Sequence, residues 1–213
     1  MDLVPLQHGS GATLRVPASL AGVSTFTGAR ALMAGRQNVS PKRLVDPGPS
    51  PQQIDDMLTM AGTAPDHGQL TPWRFVIVPI DKRTLLAEVF ALALIDRDPG
   101  ATLEQIEAAR EKAHRAPVLM LAVARLGAAD PDIPPFERVV SLGAAIQNLL
   151  LSAHALGFGA GLTSGQAMAS PRMRALFGLA EGEVPVCFVN VGTIAKAKPP
   201  RLRPRADTFT STL

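Results

Sequence analysis

Aromatic residues and cysteine are scarce in this sequence, and each shortage excludes a class of protein. Aromatic residues account for 4% of the 213 residues and tyrosine is absent, so an aromatic stacking surface for single-stranded nucleic acid is not expected. The single cysteine, Cys187, rules out an intramolecular disulfide. It lies in an apolar run at residues 184–189, which predicts a buried strand residue in a reducing compartment.

The sequence also lacks long apolar runs and metal-binding spacings. No run approaches the roughly 18 apolar residues of a membrane span, and Met1-Asp2 does not begin a basic secretory signal, so we expect a cytoplasmic protein. The four histidines show no metal-ligand spacing, and neither a Cys/His pair nor a G-x-S-x-G elbow indicates a nucleophile. We therefore expect no metal ion and no catalytic side chain of these kinds.

What is present suits a well-buried globular protein. Hydrophobic residues make up 46% and charged residues 18% of the chain, and the length fits one domain. The net charge is only +3, and a basic cluster at 196–205 favours a small anionic ligand over a DNA-coating surface, with a solvated tail as the alternative. Residues 1–28 show no sustained period, so we expect an N-terminal arm, either flexible or laid over a partner, before a single domain at 29–213.

The hydrophobic pattern predicts both helices and strands. Two capping boxes, Ser50 with Gln53 and Thr102 with Gln105, mark helix starts, and Asp81 is predicted to cap another helix. A proline-rich loop at 127–135 is expected to cover a ligand pocket. Further helices are expected at 29–34, at 137–156 and after Ser170-Pro171, and strands at 74–80, 117–124 and 184–191.

The segment 137–156 is apolar on nearly every side of its helical pattern. A helix of that kind in a globular protein is expected to be buried all round, and its small residues allow another helix to approach closely. We interpret it as the central core helix and a candidate subunit interface. His154 within it is interpreted as a core or boundary histidine with satisfied hydrogen bonds.

A basic loop at 36–44 contains three cations and two amides in nine residues. Arginine and lysine in that density are typical of a phosphate site, although a solvated basic loop is the alternative.

The stretch 64–78 has the layout of a ligand-binding loop. It is pinned by Pro65 and Pro72 and leads into an apolar strand that can hold it in place. His67, Gln69 and Thr71 are then available to a ligand. The alternative is an ordinary connection between a helix and a strand, with the only tryptophan half-buried beneath it.

A glycine-rich segment at 157–165 follows the long apolar helix. A dinucleotide fingerprint places its glycines between a strand and the helix that they open, whereas these glycines close a helix. The segment instead predicts a turn and a strand whose backbone can approach something flat.

In order, the chain has a basic loop, a capped helix, Ala-Pro followed by Thr-Pro-Trp-Arg-Phe, a long apolar helix, Gly-Phe-Gly-Ala-Gly, Val-x-Val-Gly and a Lys/Arg/Pro tail. This combination, over about residues 30–205, resembles the nitroreductase family of FMN-dependent oxidoreductases, in particular a compact branch with Ala-Pro-Asp-His. The resemblance implies an α+β fold with a mostly antiparallel central sheet wrapped by helices. It also implies an intertwined homodimer with FMN at the subunit interface.

By position, the resemblance places Arg36 on the FMN phosphate. Gln37 and Asn38 stand where the family has Arg or His and then Ser, so two phosphate or flavin-edge contacts differ from the family pattern. The tail arginines Arg201 and Arg203 are the expected replacements for a phosphate-binding arginine that relatives carry in the Trp-Arg-Ser segment after the glycine turn.

The resemblance also implies contacts with the flavin ring. In the Ala-Pro-Asp-His branch the matching positions that touch flavin are Thr63 and His67, and Gln69 and Thr71 stand near the pyrimidine edge. The segment that follows the glycine turn and lies along the cofactor is Leu162, Thr163 and Ser164.

The implied activity is hydride transfer from NAD(P)H through flavin N5 to a nitroaromatic, a quinone or a similar acceptor, with the chemistry carried by FMN. The first alternative is a flavin-binding or storage protein with little turnover, motivated by the two altered contacts. The second is a nucleic-acid-binding dimer that uses the basic tail, whose binding would depend steeply on salt.

Overall fold

An antiparallel sheet of five strands runs through the structure, a computed structural model that describes residues 24–127 and 132–213. The strands are β1 Leu44–Val45, β2 Trp73–Ile77, β3 Val118–Arg125, β4 Gly159–Thr163 and β5 Glu183–Ile194. Their order is β1-β5-β3-β2, and β4 also pairs with β5. The predicted α+β class with an antiparallel sheet is therefore confirmed. Residues 1–23 of the expected arm and 128–131 of the expected loop lie outside the described residues.

Six α-helices surround this sheet in the described chain. They are α1 Thr25–Gly35, α2 Pro51–Ala61, α3 Arg83–Arg97, α4 Leu103–Arg110, α5 Pro135–Ala155 and α6 Pro171–Leu176. Both predicted capping boxes are present at α2 and α4. None of these helices is long and apolar enough to cross a membrane.

The starts of α1 and α3 differ from the sequence prediction, and α5 begins two residues before the expected residue 137. α1 begins at Thr25 because Ser24 Oγ accepts a hydrogen bond from the Thr27 amide at 3.2 Å, so the helix starts earlier than residue 29. Asp81 does not cap α3. It lies inside a 3-10 turn, Ile80–Lys82, and α3 follows without a side-chain cap.

The two faces of the sheet carry separate apolar clusters because successive residues of a strand point to opposite sides. On one side, here called the α5 face, Val189 packs with Met57 of α2 and Leu149 of α5. On the other side, the α3 face, Phe188 packs with Leu86 of α3 and Met173 of α6. The sheet is therefore the middle layer between two groups of helices.

Cys187 of β5 is buried on the α5 face, as predicted. Burial raises the pKa of its thiol to about 11, so the side chain is a neutral part of the core at physiological pH.

Helix α5 is buried along one side only within this chain. Leu142, Ala145 and Leu149 have no more than 1% exposure, whereas Phe136 is 77% and Val140 56% exposed. The prediction that the helix is buried all round is wrong for the single chain, because no described element covers its outer side.

A charged cluster ties three strands together at one end of the sheet. Arg74 of β2 donates two hydrogen bonds of 2.7 Å to the carboxylate of Glu183 in β5. Arg125 of β3 approaches the same carboxylate at 3.5 Å, and the Ala180 amide donates to it at 3.1 Å. The Arg74 hydrogen bonds are the main cause that lowers the pKa of Glu183 to about 2.

We predict that Glu183→Gln removes a pH-dependent part of the free energy of unfolding. The folded-state pKa of Glu183, about 2, lies below its ordinary value. The stabilisation is thus complete above the unfolded pKa, about 4.3, and is lost as pH falls towards 2. The variant should lose about 2 kcal/mol at neutral pH, measured by urea unfolding.

The difference between wild type and Glu183→Gln should shrink to about half at pH ~3. Glu181→Gln, at an exposed position two residues away, is the matched control and should unfold like wild type. An equal difference at both pH values would show that the carboxylate is not responsible.

Candidate ligand-binding site

A cavity of about 260 Å³ lies where the end of α1, the start of β4 and the basic tail meet. We call it the arginine cavity, because its lining includes Arg36, Arg43, Lys198 and Arg201 and no carboxylate. Such an excess of positive charge attracts an anion.

Arg36 is the most informative of these cations. Its Nε atom is buried and has no hydrogen-bond partner within the described chain. Burial, together with the nearby charge of Arg203, lowers the pKa of Arg36 from its ordinary value. An arginine held in this way carries unused donors and an unneutralised charge, both of which a phosphate would satisfy.

The tail is held at this cavity by hydrogen bonds from arginine side chains to backbone carbonyls. Arg203 Nη2 donates to the Arg36 carbonyl at 2.6 Å, and an Arg43 guanidinium nitrogen donates to the Lys196 carbonyl. The predicted phosphate residues Arg36 and Arg201 line the same cavity, while Arg203 lies against the Arg36 backbone.

The basic loop is fixed to β4 by a short parallel bridge between Asn38 and Ala160. The Val39 amide donates to the Ala160 carbonyl at 2.9 Å, and Asn38 Oδ1 accepts from the Leu162 amide at 3.2 Å. A Cβ at Gly161 would collide with the Val39 carbonyl, so glycine is required for this approach. Gln37 lines the cavity, whereas the Asn38 side chain also positions β4.

β4 is held from its other side by Asn190, which is 1% exposed. The Asn190 side-chain nitrogen donates to the Gly161 carbonyl at 3.3 Å and to Thr163 Oγ1 at 3.0 Å. Thr163 and Ser164 line a second cavity on the α3 face rather than the arginine cavity. Leu162 lines neither of the two cavities, so the structure does not bring the predicted segment from Leu162 to Ser164 into the arginine cavity.

Two of the four predicted residues of the central loop, Thr63 and His67, contact α5. The Asn148 side chain donates to Thr63 Oγ1 at 3.2 Å, and His67 Nδ1 lies 2.8 Å from Glu137 Oε2 in the first turn of α5. Gln69 and Thr71 have positive φ angles of 54° and 46°, which is unusual for residues with side chains and especially for a β-branched one.

The backbone at Thr71 is held by Asp66. Oδ2 of Asp66 accepts from the Thr71 amide at 2.6 Å. Oδ1 of the same carboxylate is buried without a hydrogen-bond partner in the described residues. Strained backbone that is fixed by surrounding contacts is common at binding sites. We therefore include this loop in the candidate binding site.

Sequence reasoning missed several residues that line or organise the site. Lys198 and Arg43 belong to the two basic segments, and this position in the sequence could have identified them as candidate phosphate residues. His154, a half-buried boundary residue as predicted, also lines the arginine cavity. No sequence pattern identifies Asn190 or Glu137 as site residues, because their hydrogen-bond partners are distant in the sequence.

No group of three or more metal-ligating side chains occurs among the described residues.

We predict that Asp66→Ala loosens the central loop. Loss of a charge-assisted hydrogen bond of about 2 kcal/mol should accelerate amide hydrogen exchange at Thr71 by about 30-fold. Exchange measured by mass spectrometry on peptides covering residues 66–75 tests this. Asp81→Ala, which removes an exposed carboxylate, is the control, and a wild-type exchange rate in Asp66→Ala would contradict the assigned role.

This chain is similar in sequence to a known protein family. The family model of the nitroreductase family matches residues 37–193. A Haemophilus influenzae protein, provisionally named as an NAD(P)H nitroreductase, is 31% identical over 154 residues, covering 72% of this chain and 83% of its own length.

Solved structures share the fold. A nitroreductase-like family protein from Bacillus cereus superposes with a TM-score of 0.76 at 18% identity, covering 90% of this chain and 99% of that one. A nitroreductase with bound FMN from Desulfitobacterium hafniense gives 0.61 at 21% identity, covering 85% of this chain and 96% of that one. With the family model matching most of its length, the chain belongs to the nitroreductase family.

Proposed function

We propose that this protein is an FMN-dependent oxidoreductase that takes electrons from NAD(P)H and passes them to a nitroaromatic, a quinone or a similar small acceptor. When bound, FMN supplies the hydride chemistry at its N5 atom. The observation that carries the proposal is the arginine cavity, in which the buried Arg36 Nε lacks a partner and no carboxylate competes for the charge.

The residues around this cavity suit a phosphate monoester. In the proposal Arg36, Gln37 and Arg201 contact the phosphate, since all three line the cavity. Arg203 raises the local positive potential and holds the Arg36 backbone. Asn38 fixes the neighbouring strand through the Leu162 amide.

The flavin ring is proposed to extend from this cavity along the edge of β4. Leu162, which is 38% exposed, and Thr163 and Ser164 border the ring in this arrangement. The family resemblance and the close backbone approach that Gly161 allows support this arrangement. No titrating side chain is required, because the cofactor carries the redox step.

The central loop is proposed to cover the polar edge of the ring. Thr63, His67, Gln69 and Thr71 offer hydroxyl, imidazole and amide groups, and Asp66 fixes the backbone at Thr71. The Glu137 carboxylate orients the His67 ring.

We also propose a homodimer in which the flavin site lies at the subunit interface. Val140 and Phe136 leave an apolar strip on the outer side of α5, and a strip of this kind is typical of a subunit interface. The tail is exposed at every residue from 195 to 213, including the apolar Leu202 and Phe209, which suits a segment that wraps a second copy.

A cytoplasmic location is part of the proposal. The reliance on NAD(P)H and the single reduced thiol of Cys187 both favour a reducing compartment.

One observation favours the alternative of a flavin-binding protein with little turnover. Asn38 Oδ1 accepts a hydrogen bond from the Leu162 amide, which orients this side chain towards β4 at a position where the resemblance implies a cofactor contact. Rapid bleaching of the bound flavin by NAD(P)H, followed by reoxidation with a quinone, would exclude this alternative.

The first test is the visible absorption spectrum of the purified protein, together with the mass of the chromophore that it releases. A flavin spectrum and the mass of FMN are the expected result.

We predict that Arg36→Ala weakens FMN binding by about 10-fold or more, because it removes a charged phosphate partner. His67→Ala should weaken it by less than about 3-fold, because a single exposed contact is worth little. Both values come from fluorescence titration of the apoprotein with FMN.

Arg30→Ala is the matched control, since Arg30 is an exposed arginine of α1 that lines neither cavity. Full flavin retention in both Arg36→Ala and His67→Ala would show that the phosphate assignment is wrong. A colourless protein that also fails to bind added FMN would exclude a flavin enzyme.

We predict that Val140→Glu converts the dimer to a monomer and releases the flavin. The reason is that a charge on the outer side of α5 cannot be buried without a partner. Sedimentation velocity and the visible spectrum together measure this. Leu103→Glu on α4, at an apolar position with 82% exposure, is the control and should change neither. A monomeric wild-type protein would contradict the proposed assembly.

A further inference from the structure

The second cavity, on the α3 face, is chemically different from the arginine cavity. Its volume is about 240 Å³, and its floor is formed by Phe90, Leu94, Leu119 and Phe188. The rings of Phe90 and Phe188 meet edge to face with centroids 5.7 Å apart. We call it the phenylalanine cavity, and its apolar floor favours a ligand with an apolar body.

Three cations and no carboxylate belong to the lining of this cavity. Arg97 at the end of α3 and Lys112 and Arg115 after α4 supply the charge. Arg115 lies 4.0 Å from Glu111, which is itself 73% exposed. Within the described residues no ion pair uses Arg97 or Lys112, so the positive charge around an apolar floor is largely unneutralised.

The wall shared with β4 provides hydrogen-bonding groups. Thr163 Oγ1 accepts a hydrogen bond from the buried Asn190 amide at 3.0 Å. Its own hydroxyl hydrogen therefore remains available to an oxygen of a ligand. The hydroxyl of Ser164 lies in the same wall.

We propose that the phenylalanine cavity binds a small amphipathic monocarboxylate, such as an arenecarboxylate. The apolar part would lie on Phe90 and Phe188, and the carboxylate would face Arg97 and Lys112. The cavity is smaller than the pockets of drug-sized ligands, about 300–1,000 Å³, so one substituted ring fits it better than a nucleotide. The residues that supply the charge and the floor are not used by the proposed flavin site, and the two proposals share only Thr163 and Ser164 of the β4 wall.

Fluorine NMR titration of the protein as purified tests the site with para-trifluoromethylbenzoate as the probe. The neutral para-trifluoromethylbenzamide has nearly the same shape and should bind about 5-fold more weakly, because it lacks the charge that the rim recognises. Lys112→Gln should weaken benzoate binding by about 5-fold and leave benzamide binding within about 2-fold. Arg97→Gln should behave in the same way.

Two further variants sharpen the test. Lys82→Gln removes an exposed lysine that lines neither cavity, and it should leave both affinities unchanged. Ala167→Leu adds volume to a residue of the lining and should weaken the acid and the amide alike.

Two results would overturn the proposal. One is benzoate binding that is unaffected by both Lys112→Gln and Arg97→Gln, which would mean that the rim cations are only solvated. The other is benzoate binding that perturbs the visible flavin band and is weakened by Arg36→Ala instead. That result would place the acid on the face of the cofactor and not on the α3 face.

Discussion

The arrangement of this molecule depends on the contact between the basic loop and β4. The bridge from Asn38 to Ala160 and the hydrogen bond from Val39 to Ala160 bring a cationic segment against a sheet strand. This is possible only because position 161 has no side chain. Arg36, two residues before this bridge, lines the same cavity as Ala160 and the tail residue Arg201.

Repulsion between the clustered cations is unfavourable unless a bound anion offsets it. Arg36 and Arg203 lie close enough for the second to lower the pKa of the first, and no carboxylate in the lining offsets their repulsion. In the proposed function, the phosphate of the cofactor offsets this repulsion. Arg74 and Arg172, in contrast, are neutralised by Glu183 and Asp96.

Much of the scaffold could be predicted from the sequence, because it depends on local signals. The capping boxes at Ser50 and Thr102 fixed two helix starts through contacts three residues apart. The start of α3 was missed, since a 3-10 turn replaced the expected cap. The exposed side of α5 was also missed, because periodicity reports how apolar a helix is and not which molecule covers it. The site was predictable where it lies in dense basic segments. It was not predictable at Asn190 or Glu137, whose partners are 27 and 70 residues away and whose roles arise only when the chain is folded.

β4 is hydrogen-bonded to one asparagine side chain on each side. Asn38 accepts from the Leu162 amide, and Asn190 donates to the Gly161 carbonyl and the Thr163 hydroxyl. A strand clamped in this way is a common wall of the two cavities. Any ligand that shifts this wall in one cavity changes the free energy of binding in the other, and the coupling must be equal in both directions. The five residues of β4 therefore contribute to both walls, with Gly159 and Ala160 in the arginine cavity and Thr163 in the phenylalanine cavity.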